Sequence, residues 1–146
     1  MIHTRNAGPA DLDAVALLFD AYRQFYGQPG NVPAARQFLE ERSSRKESVI
    51  ILALDGELPV GFTQLYPIFT SVGLQRTWLL NDLYVAEEAR KRGVATLLLE
   101  AAKTHGRATA SKWLLLETGK DNFSAQSLYE KNGWTRTEDI FYQVML

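Results

Sequence analysis

Residues 75–118 contain the pattern that most restricts how this chain can fold. The run QRTWLLNDLYV (75–85) is rich in branched and aromatic residues and predicts a strand. ARKRGVATLLLEAAKTHGRAT (89–109) follows, and its apolar residues recur on one face of a helix that ends near Gly106. KWLLLET (112–118) is short and apolar, which is typical of a buried central strand. Strand, helix and strand in this order predict a crossover between parallel neighbours, and therefore an α/β fold.

The preceding residues predict a largely antiparallel front half. IHTR (2–5) indicates a strand, and residues 12–25 have the three- and four-residue apolar spacing of an amphipathic helix. Asn31 and Pro33 open a more polar helix that extends to about Arg45. Residues 48–69 predict two strands joined by a turn at Asp55 and Gly56.

The residues after the crossover predict one more helix and further β structure. Asn122 is suited to cap a helix that runs through Leu128 and Tyr129, and Gly133 lies just past its end. WTRTEDIFYQVML (134–146) is then expected to close the chain as β structure. The pattern shows no linker or repeat, so we expect one domain over 1–146.

Composition limits the classes of function. The 16 basic and 17 acidic residues leave a net charge of −1, so no global field attracts nucleic acid or an anionic membrane. The absence of cysteine excludes disulfides, thiolate nucleophiles and cysteine-containing zinc sites. The longest apolar run (49–54) is far shorter than the roughly 20 residues of a membrane helix. The first residues lack the pattern of a signal peptide, so we expect a cytoplasmic protein.

Three consecutive cations, residues 90–92, lie where the helix of the crossover begins. The helix dipole disfavours cations at this end. They could form a solvated turn with the two glutamates that precede them. The spacing favours a local anion site instead, because Gly93 and Ala95 leave the free amide groups of the helix end open to a ligand. A bound phosphate would make the cations favourable there.

The glycine-rich fingerprints of dinucleotide and P-loop sites are absent. The segment Arg90-Lys91-Arg92-Gly93-Val94-Ala95 instead resembles the acetyl-CoA loop of the GNAT N-acetyltransferases, in which Gln or Arg is followed by two residues, Gly, one residue, and Gly or Ala. The resemblance extends through LNDLYV (80–85) and NFSAQSLYEKNGW (122–134), and the predicted order of elements is similar over nearly the whole chain. Two positions depart from the pattern: Lys91 stands where many members have glycine, and Glu87 where many have proline.

This resemblance implies a central mixed sheet of six to seven strands with about four flanking helices. The sheet would splay between strands 75–85 and 112–118, and acetyl-CoA would be the co-substrate. Its pantetheine arm would bond the main chain around Leu83 and Val85, and the loop amides would hold its pyrophosphate. The side-chain amide of Asn122 would bind the pantetheine arm or support the splay of the sheet, or Asn122 would only cap its helix. The implied coenzyme-binding residues are Leu83, Tyr84, Val85, Arg90, Lys91, Arg92, Gly93, Val94, Ala95, Thr96, Asn122, Ala125 and Tyr129.

Tyr129 matches the family tyrosine that protonates the coenzyme sulfur, although it could also be a buried core aromatic. The amide near Leu83 would polarise the thioester carbonyl. Relatives that act on polyamines often have a glutamate where this chain has Asn81, and an amide cannot accept the proton. Asp82 is adjacent, but neighbouring residues of a regular strand face opposite sides, so it cannot simply substitute. Asp82 or Tyr84 could act directly or through water, or the amine could arrive neutral.

The resemblance places the acceptor amine across the sheet from the coenzyme. Candidate substrate contacts are Phe25, Tyr26, Gln64, Tyr66, Phe69, Asn81 and Asp82. The aromatic members could equally belong to the core or to a dimer surface. No metal site is expected, because His3 and His105 are far apart and HExxH does not occur. GxSxG is also absent, so a serine hydrolase has no support.

The favoured hypothesis is an acetyl-CoA-dependent N-acetyltransferase that acts on a primary amine of a small molecule or peptide by direct attack in a ternary complex. The alternatives are a non-catalytic acyl-CoA-binding sensor or interaction module, and a structural domain that binds no coenzyme. Relatives often form dimers, and an exposed C-terminal strand would offer an edge for a homodimer.

Overall fold

The computed structural model describes residues 1–146 and contains one mixed sheet with helices on both of its faces. The strands are β1 (Ile2–Asn6), β2 (Val49–Asp55), β3 (Leu58–Thr70), β4 (Gln75–Val85) and β5 (Leu114–Leu115). The helices are α1 (Leu12–Phe25), α2 (Val32–Ser44), α3 (Val94–Ala108) and α4 (Phe123–Lys131). Short 3₁₀ turns occupy Pro9–Asp11 and Glu87–Ala89.

The strands lie in sequence order, β1-β2-β3-β4-β5. The first three pairings are antiparallel, and β4 pairs with β5 in parallel through the α3 crossover. The turn between β2 and β3 contains Gly56 with φ of 62°, a left-handed conformation that glycine adopts without strain. The predicted mixed α/β fold with four helices and an antiparallel front half is confirmed.

Each face of the sheet has its own apolar core. Val15, Ala16 and Phe19 of α1 and Leu39 of α2 pack with alternate residues of β2 and with Phe62 on one face. The opposite face packs against α3 through Leu98, Leu99 and Ala102. Two faces with separate apolar cores follow from the period-two alternation of strand side chains. The helices therefore fix the sheet from both sides.

The sheet opens between β4 and β5, as predicted. Only Trp78 and Leu79 of β4 have partners in β5, at Leu114 and Leu115. β4 continues to Val85, and beyond Leu79 its edge on the β5 side is unpaired. Main-chain groups of this half of β4 are therefore available to a ligand.

Two strand predictions are wrong in detail. The predicted central strand 112–118 is only Leu114–Leu115, half-buried and at the edge of the sheet. Residues 134–146 form no strand, and the backbone of 135–146 makes no hydrogen bond, so the sheet has five strands rather than six or seven. β propensity gives a strand only where a partner edge is available, and the chain does not bring this segment back to β5.

The predicted helix caps are present. Asn31 Oδ1 accepts a hydrogen bond from the Ala34 amide at 3.1 Å, and Asn122 Oδ1 accepts one from the Ala125 amide at 3.2 Å. Gly133, just past α4, has φ of 87°, the usual conformation of a residue that ends a helix. None of the helices has the length and apolar character needed to cross a lipid bilayer.

Candidate active site

The loop before α3 presents a group of unpaired amide donors. Gly93 has φ of 76° and directly precedes the helix, and a side chain at this position would meet nothing within 4 Å. The N–H groups of residues 91–93 make no hydrogen bond, and those of 94–96 belong to the first helical turn, where donors lack intrahelical partners. Six amide groups in one short segment give the loop the donors that an anion requires.

The three cations of this loop have different surroundings. Arg90 donates from Nε to the Val85 carbonyl at 3.1 Å, and its guanidinium lies 5.9 Å from the ring centres of Phe25 and Tyr84. Arg92 pairs with Asp55 at 2.9 Å. Lys91 is exposed and makes no ion pair. An anion on the loop would therefore meet Lys91 directly, whereas the two arginines would have to leave their present partners to contact it.

The open half of β4 presents alternate side chains to the two faces of the sheet. Leu83 and Val85 pack on the α3 face, and Tyr84 packs on the α1 face against Tyr22 and Phe62. The backbone of this segment pairs with β3 on one side only, with Thr63 opposite Leu83. The predicted main-chain positions thus lie at the gap, although Arg90 already occupies one lone pair of the Val85 carbonyl.

A β-bulge changes the direction of the side chains at Asn81 and Asp82. Gln64 pairs with Asp82 and Leu65 pairs with Leu80, so Asn81 is the extra residue in β4. Asn81 is exposed and donates from Nδ2 to Asp82 Oδ1 at 3.2 Å, whereas Asp82 is only 4% exposed. The expectation of regular alternation was wrong here. The bulge places both side chains in one hydrogen-bonded group.

Asp82 is a buried carboxylate without a cationic partner. Gln64 Nε2 donates to its Oδ2 at 2.7 Å, and no Lys, Arg or His forms an ion pair with it. Burial raises the pKa of Asp82, while hydrogen bonds to its side chain oppose that rise. Gln64 is itself fully buried, and its Oε1 has no donor. This group of polar atoms on the α1 face is unlike the apolar core around it.

Two tyrosines lie near Asp82. Burial, and then the Asp82 charge, raise the pKa of Tyr22 and raise that of Tyr66 to about 12. Burial also raises the pKa of Tyr129, and Tyr26 adds to this effect. The rings of Tyr22 and Tyr26 are 5.0 Å apart. Residues of α1, β3 and β4 thus meet at Asp82, and the raised pKa values keep the phenols of Tyr22, Tyr66 and Tyr129 protonated at neutral pH.

Tyr22 was not among the predicted site residues. Tyr22 lies on the apolar face of α1, where it packs against Phe19 and Phe62. The i, i+4 spacing of Tyr22 and Tyr26 is the signal that could have identified it, because that spacing puts both phenols on one helix face.

The remaining predicted residues differ in how closely they approach this group. Tyr129 is half-buried on α4, with its ring centre 6.2 Å from that of Trp134. Phe25 is exposed and lies edge-on to Tyr26 at 5.3 Å. Phe69 is far along β3, where it pairs with Arg76, and the structure does not bring it to Asp82. No group of three or more His, Cys, Asp or Glu side chains is arranged to hold a metal ion.

Comparisons with known proteins agree with this architecture. The model of the acetyltransferase (GNAT) family matches residues 15–134. The uncharacterized N-acetyltransferase YhfO of Bacillus subtilis is 43% identical over 133 residues, which are 91% of this chain and 89% of that protein. A probable acetyltransferase of Haemophilus influenzae is 35% identical over 78% of this chain and 79% of its own length. A crystal structure of a probable acetyltransferase, 44% identical, superposes with a TM-score of 0.93 and covers 99% of this chain and 97% of that one.

The sheet opens between two parallel strands, and the first amides of the adjacent helix are free. This architecture is that of an acyl-transferring enzyme. The chain belongs to the GNAT family of acetyltransferases. This membership makes acetyl transfer its general activity and implies acetyl-CoA as the acetyl donor.

Proposed function

We propose that this protein is an N-acetyltransferase that transfers an acetyl group from acetyl-CoA to a primary amine of a small molecule or peptide by direct attack. The observation that carries the proposal is the position of Asp82. It is a buried carboxylate without a cationic partner, the phenols of Tyr22 and Tyr66 lie near it, and its strand has an open edge beyond Leu79. Such a carboxylate suits the binding and deprotonation of an amine.

The loop and the open half of β4 provide the coenzyme side of the site. Free amides of residues 91–96, together with Lys91, suit the pyrophosphate. The unpaired main chain of Leu83 and Val85 suits an extended amide-containing arm, which would bond to it like an added strand. Arg90 must release the Val85 carbonyl if that arm uses the same lone pair.

The acceptor amine would enter from the α1 face. There Asp82 takes a proton from the ammonium, directly or through a water molecule, and the tyrosine faces of Tyr22, Tyr26 and Tyr66 accommodate the cation. The exposed Asn81 side chain and the free Oε1 of Gln64 are further acceptors for its N–H groups. The bulge therefore supports Asp82 as the base rather than Asn81.

In the chemical step the amine nitrogen attacks the thioester carbon, and the developing oxyanion accepts a hydrogen bond from a β4 amide near Leu83. The carbon–sulfur bond then breaks, and the sulfur takes a proton from the hydroxyl group of Tyr129. Burial keeps this phenol protonated, so it is ready to donate. The nitrogen loses two protons in all: Asp82 takes the first from the ammonium and passes it to solvent, and the second, lost after the attack, returns to the Tyr129 phenolate, so that the net reaction releases one proton.

The Tyr129→Phe variant tests the general acid. We expect turnover to fall by at least about tenfold, because positioned proton donors contribute at least that much, while acetyl-CoA binding measured by calorimetry stays unchanged. Ser71→Ala is the control, since it removes an exposed hydroxyl group from the loop between β3 and β4, outside the groove that Tyr129 lines. Equal turnover in the Tyr129→Phe and wild-type proteins would remove Tyr129 from the mechanism.

Thiol release from acetyl-CoA in the presence of an amine panel tests the reaction itself. The panel contains polyamines, amino acids of both hands, aminoglycosides, and peptides with free amino termini or lysines. At least one amine class is expected to accelerate thiol release well above the rate with coenzyme alone. Binding of acetyl-CoA without acceleration by any amine would favour the acyl-CoA sensor, and absence of binding would contradict the proposed coenzyme site.

A further inference from the structure

Two aromatic side chains at the end of α1 have little apolar cover. Phe25 is 68% exposed and Tyr26 is 62% exposed. Their rings are edge-on at 5.3 Å, and the ring of Tyr26 is 5.0 Å from that of Tyr22. Tyr22 in turn lies near the buried Asp82. We call Tyr22, Phe25 and Tyr26 the aromatic wall, since they form a surface from the carboxylate to the outside of the protein.

Asp82 is the single carboxylate of this site. Its charge contributes to the raised pKa values of Tyr22 and Tyr66, and no other carboxylate does so. No carboxylate contributes to the raised pKa of Tyr129. The other buried carboxylate of α1, Asp20, already accepts hydrogen bonds from a side chain of α1 and from the amide just before α2. The site therefore compensates one positive charge on a substrate, and not two.

A cation of the protein already lies on the outer rings of the site. The guanidinium of Arg90 is 5.9 Å from the ring centres of Phe25 and Tyr84, and it makes no ion pair. A second ammonium group on the substrate would meet this guanidinium instead of a carboxylate, and like charges repel. Diamines and polyamines are therefore poorly matched to the aromatic wall.

The donors around Asp82 leave no place for a carboxylate of the substrate. Gln64 Nε2 donates to Asp82 at 2.7 Å, and Asn81 Nδ2 donates to it at 3.2 Å. Arg42, the cation that acts on Tyr66, pairs with two glutamates. An α-amino acid would bring its own carboxylate next to a buried carboxylate, without a free donor to compensate the charge.

We propose that the acceptor is an arylalkylamine, a primary monoamine whose short alkyl chain ends in an aromatic ring and whose amine-bearing carbon has no carboxylate. The ammonium group binds at Asp82, and the ring of the substrate packs on Tyr26 and Phe25. Aromatic rings pack edge-on or offset, as these side chains already do with one another. The inference rests on the proposed acetyl transfer and narrows its acceptor from any primary amine to this class.

The ring of the substrate would act mainly on binding. It covers apolar surface that is exposed in the free protein, and burial of a phenyl group strengthens binding by roughly ten- to a hundredfold. The aromatic wall lies away from the bonds that change, so the contact is the same before and during the reaction. A contact of this kind lowers KM and leaves kcat unchanged.

Thiol release from acetyl-CoA with three matched pairs of amines tests the class of acceptor. The pair 2-phenylethylamine and ethylamine measures the ring. The pair 2-phenylethylamine and phenylalanine, of either hand, measures the carboxylate, and the pair butylamine and 1,4-diaminobutane measures the second ammonium group. In each pair the first compound is expected to have a kcat/KM at least about tenfold higher than that of the second.

Tyr26→Ala tests where the ring binds. Its KM for 2-phenylethylamine is expected to rise about tenfold, while kcat, the kcat/KM for ethylamine and the affinity for acetyl-CoA stay unchanged. Leu17→Ala is the matched control, because Leu17 is 61% exposed on the same helix and lies outside the aromatic wall. This variant is expected to have the wild-type KM for both amines.

The outcomes separate this inference from the proposed function. Thiol release that no amine accelerates would contradict acetyl transfer to an amine, and the inference with it. A higher kcat/KM for phenylalanine or 1,4-diaminobutane than for its partner compound would leave acetyl transfer intact and overturn the inference. Equal effects of Tyr26→Ala on 2-phenylethylamine and ethylamine would also overturn it. The amine pairs use the wild-type protein, so they decide the result even if Tyr26→Ala does not fold.

Discussion

Lys91 has a strained backbone in the loop before α3. Its φ is 64°, in the left-handed region that favours glycine, and many relatives are expected to have glycine at this position. Lysine at this position therefore has a local conformational cost that glycine would not have. It also explains what the lysine can contribute, since Lys91 is the only one of the three cations without a partner in the protein.

Lys91→Gly is expected to stabilise the protein by about 1 kcal/mol, because the left-handed conformation costs a residue with a side chain roughly that amount. The same variant should bind acetyl-CoA more weakly, since it removes a cation from the loop. Urea unfolding and calorimetry measure the two effects. Lys91→Ala is the control: it removes the same charge and retains the strain, so weaker binding without a gain in stability is expected. Equal stability of the two variants would contradict the explanation.

Asp82 couples the pH dependence of activity to that of stability. Burial raises its pKa in the folded state, so folding favours the protonated form. The folded protein then binds more protons than the unfolded chain above about pH 4, the ordinary value for aspartate, and stability falls as pH rises through the folded pKa. Activity changes in the opposite sense, because a base must be deprotonated to act.

Asp82→Asn should lower turnover by at least about tenfold and remove the acidic limb of the kcat/KM profile, which in the wild type is expected above about pH 4. The stability of the variant relative to the wild type should increase with pH across the same interval, because the buried charge is gone. Urea unfolding at several pH values measures this difference. A constant difference in stability would show that Asp82 has the same pKa in the folded and unfolded chains.

At the scale of elements, a second buried carboxylate joins α1 to the start of α2. Asp20 is 4% exposed and accepts hydrogen bonds from the Asn31 amide and from Gln24 Nε2, each at 2.8 Å. The connection matters for the site because Tyr22 and Tyr26 lie at the end of α1, two and six residues beyond Asp20. The position of the two phenols therefore depends on how α1 ends.

Asp20→Ala is expected to destabilise the protein by about 2 kcal/mol, because it removes the charged acceptor of two hydrogen bonds. Asp13→Ala on the same helix is the control. The Asp13 carboxylate pairs with Arg36 at the surface and is 85% exposed, so its loss should cost less than about 1 kcal/mol. Urea unfolding of both variants measures the difference. Similar losses would mean that the Asp20 hydrogen bonds contribute little to the packing of α1.

The elements also show which local predictions are reliable. Asn31 and Asn122 were predicted as caps and are caps, because capping depends on a few adjacent residues. The bulge at Asn81 was not predicted, since it arises from the pairing of β4 with β3 and leaves no local mark in LNDLYV. The argument that Asn81 and Asp82 must face opposite sides of the sheet was wrong for that reason.

At the scale of the whole molecule, the sheet of a single chain ends at a two-residue strand. Residues 135–146 have the composition of a strand, but their backbone makes no hydrogen bond within the chain. The prediction of β structure for this segment was wrong because a strand needs a partner edge as well as β propensity.

The sequence by itself determined the order of the elements, the glycine-opened loop before α3, the helix caps and the family resemblance. These depend on residues close together in the chain, where periodicity and turn chemistry act directly. Only the tertiary structure brought Tyr22, Gln64 and Tyr66 near Asp82, gave Arg90 and Arg92 their partners, and left residues 135–146 without backbone hydrogen bonds. Those features depend on burial and on pairing between distant segments, which no local pattern records.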